Sequence, residues 1–373
     1  RGPDDYGMMV DDDFIFGHRR LSIIDLDSHA KQPMVSSDGN VILVFNGEIY
    51  NYKELRNSLV LKGYTFNTES DTEVLLYSYY EHGISCINDF IGMFAFSIFD
   101  HRTGKSYLVR DRLGVKPLYY HQVDGVFTFS SEIKSILYFL NLKKDLNIDA
   151  VSSYLSFRYP ILNDTFFNDV FSLEPAHYIE ICSNEYNIVE YWSPVKKFKK
   201  QRVDMGEIYY INKLQSLLKS AVKYRMISDV PFGSFLSGGV DSSIITSIMS
   251  IESKDRIKTY TVGFDEEGCN EFEYATVIAD KYSTDHSEIT LCADSYISNL
   301  EKLISYKDAP LSVPNEVPLY LMSLELKKHI SVVLSGEGAD EIFGGYGRIF
   351  RSPYDLERIN NIDNLQLSND EKE

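Results

Sequence analysis

Ser237-Gly238-Gly239-Val240-Asp241-Ser242-Ser243 constrains this chain more than any other stretch. It follows a short apolar strand candidate, Val230 to Leu236, and precedes an apolar helical run, Ile244 to Met249. A strand, a glycine-rich turn and a helix N-terminus together form an arrangement that captures phosphate. Backbone N–H groups of the turn point at the anion, and the helix dipole favours negative charge there. The two glycines permit close backbone approach. Ser237, Ser242 and Ser243 add hydroxyl donors. Asp241 repels phosphate, so its natural role is to hold Mg²⁺ or to cap the helix. Taken alone, a serine-capped helix after a tight turn explains the same residues.

The region around this stretch alternates strand and helix. Strand candidates are Phe232 to Leu236, Thr259 to Phe264 and Val332 to Leu334; helical patterns cover Gly206 to Met226, Ser242 to Ser250, Glu271 to Tyr282 and Val317 to His329. Such alternation predicts a parallel sheet with ligands at the carboxyl ends of its strands. The tail after Pro353 is polar and predicts no apolar helical face. The first half reads differently, as strands and turns interrupted by helices at about Tyr52 to Lys62 and Thr72 to His82, the latter opened by Ser70-Asp71. Val41 to Phe45 is a continuous apolar run, and His101 to Gly104 reads as a hairpin turn between two further strands. This half predicts a layered α+β domain. The expected division is a first domain over 1–172, a linker over 173–204 and a second domain over 205–373. Lys196-Lys197-Phe198-Lys199-Lys200 reads as exposed linker.

A length of 373 residues suits two or three domains. The net charge of −18 argues against nucleic-acid binding and against an anionic membrane surface. Cys86, Cys182, Cys269 and Cys292 are widely spaced, which disfavours a disulfide framework or zinc site and suits a cytoplasmic location. No run of 18 apolar residues and no signal peptide is visible. Gly104-Lys105-Ser106 looks like the end of a Walker A loop, but Phe99 stands where its first glycine belongs.

The Ser237 to Ser243 stretch resembles the pyrophosphate loop of ATP pyrophosphatases. Five more segments resemble one family of that group, the glutamine-hydrolysing asparagine synthetases. They are Arg1-Gly2-Pro3-Asp4, Arg20-Leu21-Ser22-Ile23-Ile24-Asp25, Asn46-Gly47-Glu48-Ile49-Tyr50-Asn51, Tyr260-Thr261-Val262-Gly263-Phe264 and Ser335-Gly336-Glu337-Gly338-Ala339-Asp340-Glu341-Ile342-Phe343-Gly344-Gly345-Tyr346. They fall in family order and cover nearly the whole chain. The resemblance implies an α+β N-terminal-nucleophile hydrolase-like sandwich followed by an α/β parallel-sheet ATP-pyrophosphatase domain. It implies glutamine, aspartate and ATP as small-molecule substrates, Mg²⁺ beside the ATP, and it allows a homodimer.

In that family an N-terminal cysteine attacks the glutamine amide, and an oxyanion hole stabilises the intermediate. Asn46 and Gly47 match the oxyanion donors, Arg20 the arginine that forks onto the glutamine α-carboxylate, and Glu48 and Asp71 the acceptors around the amide and α-amine. Taken singly, Asn46-Gly47 is also a hairpin-turn signal and Asp71 a helix cap. Leu236 and Val262 match an adenine slot; Ser237, Gly238, Gly239, Asp241, Ser242 and Ser243 match the phosphate loop; Ser335 and Gly336 match a second nucleotide-contacting turn. Glu337 matches an acid linked to forming the aspartyl-adenylate. Asp241 and Asp340 suit Mg²⁺ on the leaving pyrophosphate. A solvated acidic loop is the plain alternative for Glu337, Asp340 and Glu341.

Arg110-Asp111-Arg112-Leu113-Gly114 with Pro117-Leu118-Tyr119-Tyr120 also resembles a family segment and reads as a buried structural arginine network. The family cysteine would lie upstream of Arg1, and Cys86 is in the wrong context to replace it, so the chain as written is expected not to hydrolyse glutamine. Relatives continue beyond its last residue, and the second domain is expected to be incomplete. Asp308-Ala309-Pro310 stands where many relatives have a second acid. The expected activity is ATP-dependent amidation of aspartate through β-aspartyl-AMP. Rival expectations are a relative amidating another carboxylate, or a non-catalytic nucleotide-binding remnant.

Overall fold

The computed structural model describes residues 2–183, 185–198, 203–265 and 270–364. It divides into two compact units, the first Arg1–Phe232 with Phe264–Glu267 and Thr290–Val332, the second Gly233–Gly263 with Gly268–Ile289 and Val333–Glu373.

The first unit contains strands β1 (Asp5–Val10), β2 (Ile15–Arg20), β3 (Met34–Val35) and β4 (Val41–Ile49), then helices α1 (Tyr52–Leu61) and α2 (Asp71–His82). Strands β5 (Gly92–Asp100), β6 (Lys105–Arg110), β7 (Tyr119–Val123) and β8 (Val126–Ser130) follow, with helices α3 (Ile133–Phe139) and α4 (Ile148–Phe157). Next come β9 (Phe171–Ser172), β10 (His177–Cys182), β11 (Glu185–Glu190), α5 (Pro194–Phe198) and α6 (Glu207–Arg225). Six strands form an antiparallel sheet in the order β11-β10-β6-β5-β4-β3. The stretch 173–204, expected as a linker, supplies two of them. Lys196 of the basic cluster pairs with Glu190, while Lys199 and Lys200 lie outside the described residues.

Both faces of β4 are buried, and its side chains divide by the two-residue period of a strand. Val41, Leu43, Phe45 and Ile49 join the core with Leu59 of α1 and Val74 and Leu75 of α2. Ile42 and Val44 pack the other way, against Phe14, Phe16 and Phe99. Asn46 and Glu48 continue this second row. α2 is capped by Ser70, whose hydroxyl accepts from Glu73 N, and every residue from Asp71 to Tyr79 is buried.

The Arg110–Gly114 segment is the structural network expected of it. The Asp111 carboxylate, 1% exposed, accepts from the backbone N–H of Phe94, Leu113, Val115 and Lys116. Arg110 donates to the carbonyls of Lys116, Leu173 and Gly114, and Arg112 to those of Phe90 and Asn88.

The second unit is built on β12 (Phe232–Phe235), α7 (Val240–Glu252), β13 (Lys258–Phe264), α8 (Phe272–Tyr282) and β14 (Asp285–Leu291). Helices α9 (Ala293–Lys307) and α10 (Glu316–Leu326) belong to the first unit. β15 (Val332–Leu334), α11 (Ala339–Phe343) and α12 (Gly347–Asn364) complete the order. The sheet order is β14-β13-β12-β15, with β12 and β13 parallel. The sequence reading did not foresee β14 or α9. The polar tail after Pro353 was expected to offer no apolar helical face; it is helical, α12 running through that proline to Asn364, and residues 365–373 lie outside the described ones. Among the described residues no helix is long and apolar enough to cross a membrane. Cys86, Cys182 and Cys292 are free thiols, and Cys269 lies outside the described residues.

Replacing Asp111 by alanine takes the acceptor from four backbone N–H groups, that of Phe94 buried and the other three part-buried. We expect Asp111→Ala to lower unfolding free energy by roughly 3 kcal/mol or more, read from the urea midpoint; a change under about 0.5 kcal/mol would refute the network's structural role.

Candidate functional site

The first unit holds a cleft of about 750 Å³, and Arg20, Asn46, Gly47, Glu48 and Asp71 all line it. Asn46 and Gly47 are not a hairpin turn. They sit inside β4, opposite Ala95 and Phe94 of β5. Gly47 is forced by its own sheet, since a Cβ there would meet Met93 O at 2.2 Å and Phe94 Cα at 2.7 Å. Asn46 Nδ2 donates to Ser131 Oγ at 3.3 Å.

Asp71 is not the helix cap either; Ser70 is. The Asp71 carboxylate accepts from Ile49 N at 2.9 Å and is pushed up to about 7, chiefly by burial, with the Ile49 N–H opposing and the negative Glu48 adding. Burial also raises Glu48, against the pull of Lys116 and Arg225. Two acids thus share one buried corner beside β4.

Arg20 ends β2 and is 7% exposed. Its Nη1 donates to Asp27 O at 3.1 Å and its Nη2 to Ile24 O and Asp25 O at 3.3 and 2.5 Å. The guanidinium therefore braces the 24–27 loop and leaves only part of its fork for a ligand. Cleft residues that no motif marks include His18, Gln32 and Ser131. The alternation Phe16, His18, Arg20 on the inner face of β2 is the signal that would have found His18. Cys86 is enclosed in the core, and burial pushes its thiol far up, which rules it out as a nucleophile.

A second hollow, about 260 Å³, lies in the second unit. Ser237, Gly239, Asp241, Ser242, Ser335, Gly336, Glu337 and Asp340 line it together. Gly238 has φ +81°, and a Cβ there would meet Tyr274 Cβ at 2.4 Å. A Cβ on Gly336 would meet Asp241 Cβ at 2.9 Å and Ser242 N at 3.1 Å, so the 335–336 turn is pressed onto the start of α7.

Leu236, Gly238, Ser243 and Val262 are not part of this lining. Leu236, expected in an adenine slot, is 1% exposed and packs on Ala275 and Ala279 of α8. Its N–H donates to Tyr260 O and its carbonyl accepts from Thr261 Oγ1. A residue that ends a strand beneath a helix serves the core before it serves a ligand. Asp308 is likewise committed, its carboxylate accepting from Lys134 N at 3.0 Å.

Asp241 and Asp340 share the hollow with the glycine turn, and Glu341 is held by Tyr346 at 2.7 Å. Among the described residues, no three His, Cys, Asp or Glu groups converge as a metal site. Two carboxylates beside a phosphate-binding turn still fit Mg²⁺, which draws its other ligands from phosphate and water.

A cleft carried by a sheet and a glycine-turn hollow lie in the two halves of the chain, and the family models define its class, an amidotransferase domain followed by a synthetase domain. The family model described as a glutamine amidotransferase domain matches residues 1–192, and that described as asparagine synthase matches residues 213–371. The chain belongs to the glutamine-hydrolysing asparagine synthetase family. Asparagine synthetase (glutamine-hydrolysing) 1 of Bacillus subtilis is 39% identical over 365 residues, covering 97% of this chain and 56% of that protein. A Methanocaldococcus jannaschii protein with the same activity in its name is 36% identical over 373 residues, covering 93% of this chain and 70% of that one. Asparagine synthetase (glutamine-hydrolysing) 3 of Bacillus subtilis is 32% identical, covering 93% and 58%. The chain thus spans little more than half the length of the Bacillus relatives. Among solved structures, a Bacillus subtilis glutamine phosphoribosylpyrophosphate amidotransferase is 14% identical with a TM-score of 0.33, covering 73% of this chain and 50% of that one.

The raised Asp71 carboxyl fixes a pH dependence. Its folded value of about 7 lies above the ordinary 3.8. The folded state therefore carries no penalty while both states are protonated, and loses stability as pH rises from about 4 to about 7. The full loss is on the order of 4 kcal/mol. Asp71→Asn keeps an acceptor for Ile49 N without the charge. It should flatten the stability profile over this window and stabilise the protein at pH 8, as measured by denaturant titration; an unchanged slope would show that Asp71 ionises normally.

Proposed function

We propose that this chain carries the glutamine-binding and oxyanion-stabilising residues, and the ATP-binding residues, of a glutamine-hydrolysing asparagine synthetase, the nucleophile of the glutaminase step not being among them. The observation that supports the reading best is the segregation of residues. The five glutamine candidates line one cleft, and Ser237, Gly239, Asp241 and Ser242 of the phosphate loop line another with Ser335, Gly336, Glu337 and Asp340. On this reading the first domain has an N-terminal-nucleophile hydrolase-like fold and the second an ATP-pyrophosphatase fold.

In the first half-reaction, water and glutamine give glutamate and ammonia. Asn46 Nδ2 and the Gly47 N–H would stabilise the oxyanion, the free part of the Arg20 fork would take the α-carboxylate, and Asp71 and Glu48 would accept from the amine and amide. In the second, the aspartate β-carboxylate attacks the α-phosphorus of ATP and pyrophosphate leaves. Ammonia then displaces AMP to give asparagine. Ser237, Gly239 and Ser242 would hold the phosphates at the start of α7, where the helix dipole favours anions. Mg²⁺ held by Asp241 and Asp340 would neutralise charge on the pyrophosphate, and Glu337 would act at the adenylate.

A second reading, amidation of a different carboxylate, draws support from Ala309 of Asp308-Ala309-Pro310, which stands where many relatives have a second acid. Pyrophosphate release by the full-length protein separates the two. Release that depends on aspartate supports the first reading, and release that ignores aspartate but needs another acid supports the second.

Asp241→Ala should weaken Mg·ATP binding by about 2–4 kcal/mol, the range for removing a charged partner. Calorimetry giving wild-type affinity for a folded variant would remove Asp241 from the metal site.

A further inference from the structure

On the edge of β4 away from β5, the backbone of Phe45, the residue before Asn46, is held by side chains and not by a neighbouring strand. β3 pairs with β4 only at Met34↔Leu43 and Val35↔Ile42. Two residues further along that register, Gln32 stands opposite Phe45, and its side-chain amide replaces the missing strand. Gln32 Oε1 accepts from Phe45 N at 2.6 Å, and Gln32 Nε2 donates to Phe45 O at 3.0 Å. His18 Nε2 meets the same carbonyl at 3.0 Å. A carbonyl oxygen only accepts, so this bond fixes the imidazole tautomer with its proton on Nε2. The Phe45 ring is itself buried in the core. Phe45 is therefore pinned at its N–H, at both lone pairs of its carbonyl and at its side chain.

On the other side of Asn46, Gly47 is clamped against Met93 and Phe94 of β5. Asn46 thus stands between two immobilised residues. Gln32 is 7% exposed and His18 lies between Phe16 and Arg20 on the inner row of β2, so neither needs this geometry for solubility.

We infer that Gln32 and His18 are positioning residues of the glutamine cleft, setting through the Phe45 peptide the direction of the Asn46 side chain and the Gly47 N–H. The inference rests on the reading of those two groups as oxyanion donors. Oxyanion donors must meet an oxygen that has moved from the ground-state carbonyl position, so a small strand shift is felt in the transition state more than in binding. A displacement of about 1 Å costs on the order of a hundredfold in rate.

Glutamine hydrolysis by the full-length protein tests this. Gln32→Leu and His18→Leu should each lower kcat about tenfold to a hundredfold with KM within about threefold. His18→Gln, whose amide can donate near the Nε2 position, should recover most of kcat. If a leucine variant folds poorly, Gln32→Glu serves instead: it keeps the acceptor for Phe45 N and loses the donor to Phe45 O. Wild-type kcat per folded molecule with only a lower melting temperature would overturn the inference, and so would a raised KM at constant kcat. Asn46→Ala separates this from the parent reading. If that variant keeps wild-type glutaminase activity, the oxyanion assignment fails and the inference falls with it. If Asn46→Ala is inactive while the leucine variants match wild type, the inference alone fails.

Discussion

The pairing of β4 with β5 is the constraint on which the first unit depends. It runs without a break from Val41↔Asp100 to Ile49↔Gly92. Its first half buries apolar side chains on both faces, which fixes register because a one-residue slip would exchange the two rows. Its second half inherits that register and spends it on chemistry. Asn46 and Glu48 follow Ile42 and Val44 on one row, while the Ile49 N–H meets the carboxylate that opens α2. The site is therefore not a loop decorated with polar residues. It is the end of a core strand, which is where donor positions can be held tightly.

That origin explains why the cleft tolerates two acids. Asp71 and Glu48 are buried beside each other, and burial raises both. The backbone N–H groups of Ile49, Thr72 and Asp71 at the one acid, and Lys116 and Arg225 at the other, offset only part of this. Such an arrangement destabilises the folded protein near neutral pH, and it is also the arrangement that would attract an ammonium group. An α-amine placed between the two carboxylates would supply the positive charge that the protein itself withholds.

The sequence makes the first cleft legible through its motifs and hides what braces it. Asn46, Gly47, Glu48 and Arg20 stand in recognisable strings, and the Arg110–Gly114 network was readable because two arginines flank an aspartate at a turn. His18 and Gln32 carry no such signature. Gln32 acts by imitating a peptide, and any reading by residue type passes over it. In the second unit, Leu236 is marked by its family match, and what the sequence does not show is its packing beneath α8, where Ala275 and Ala279 are small enough to admit its side chain. β14 went unseen because Asp285–Leu291 is largely exposed and its alternation is weak. α12 went unseen because a proline and polar residues outweighed a helical pattern that continues through them.

The two hollows differ in how ready they are for an occupant. In the first, strand pairing and the core have already fixed the donors. In the second, the phosphate loop is satisfied by itself. Ser242 Oγ accepts from Ser237 N at 3.2 Å and meets Ser237 Oγ at 3.0 Å, while Ser237 Oγ accepts from Gly239 N at 3.2 Å. Two backbone N–H groups that could bind an anion are thus occupied by the loop's own hydroxyls. On the proposed reading an incoming phosphate would exchange with these hydroxyls, whose residues already line the hollow. The fixed part of this site is instead the backbone contact between Gly336 and the start of α7. That contact joins the 335–341 acids to the phosphate turn irrespective of what the serine hydroxyls do. In the first site rigidity lies in the donors, and in the second it lies in the scaffold that brings carboxylates and phosphate turn together.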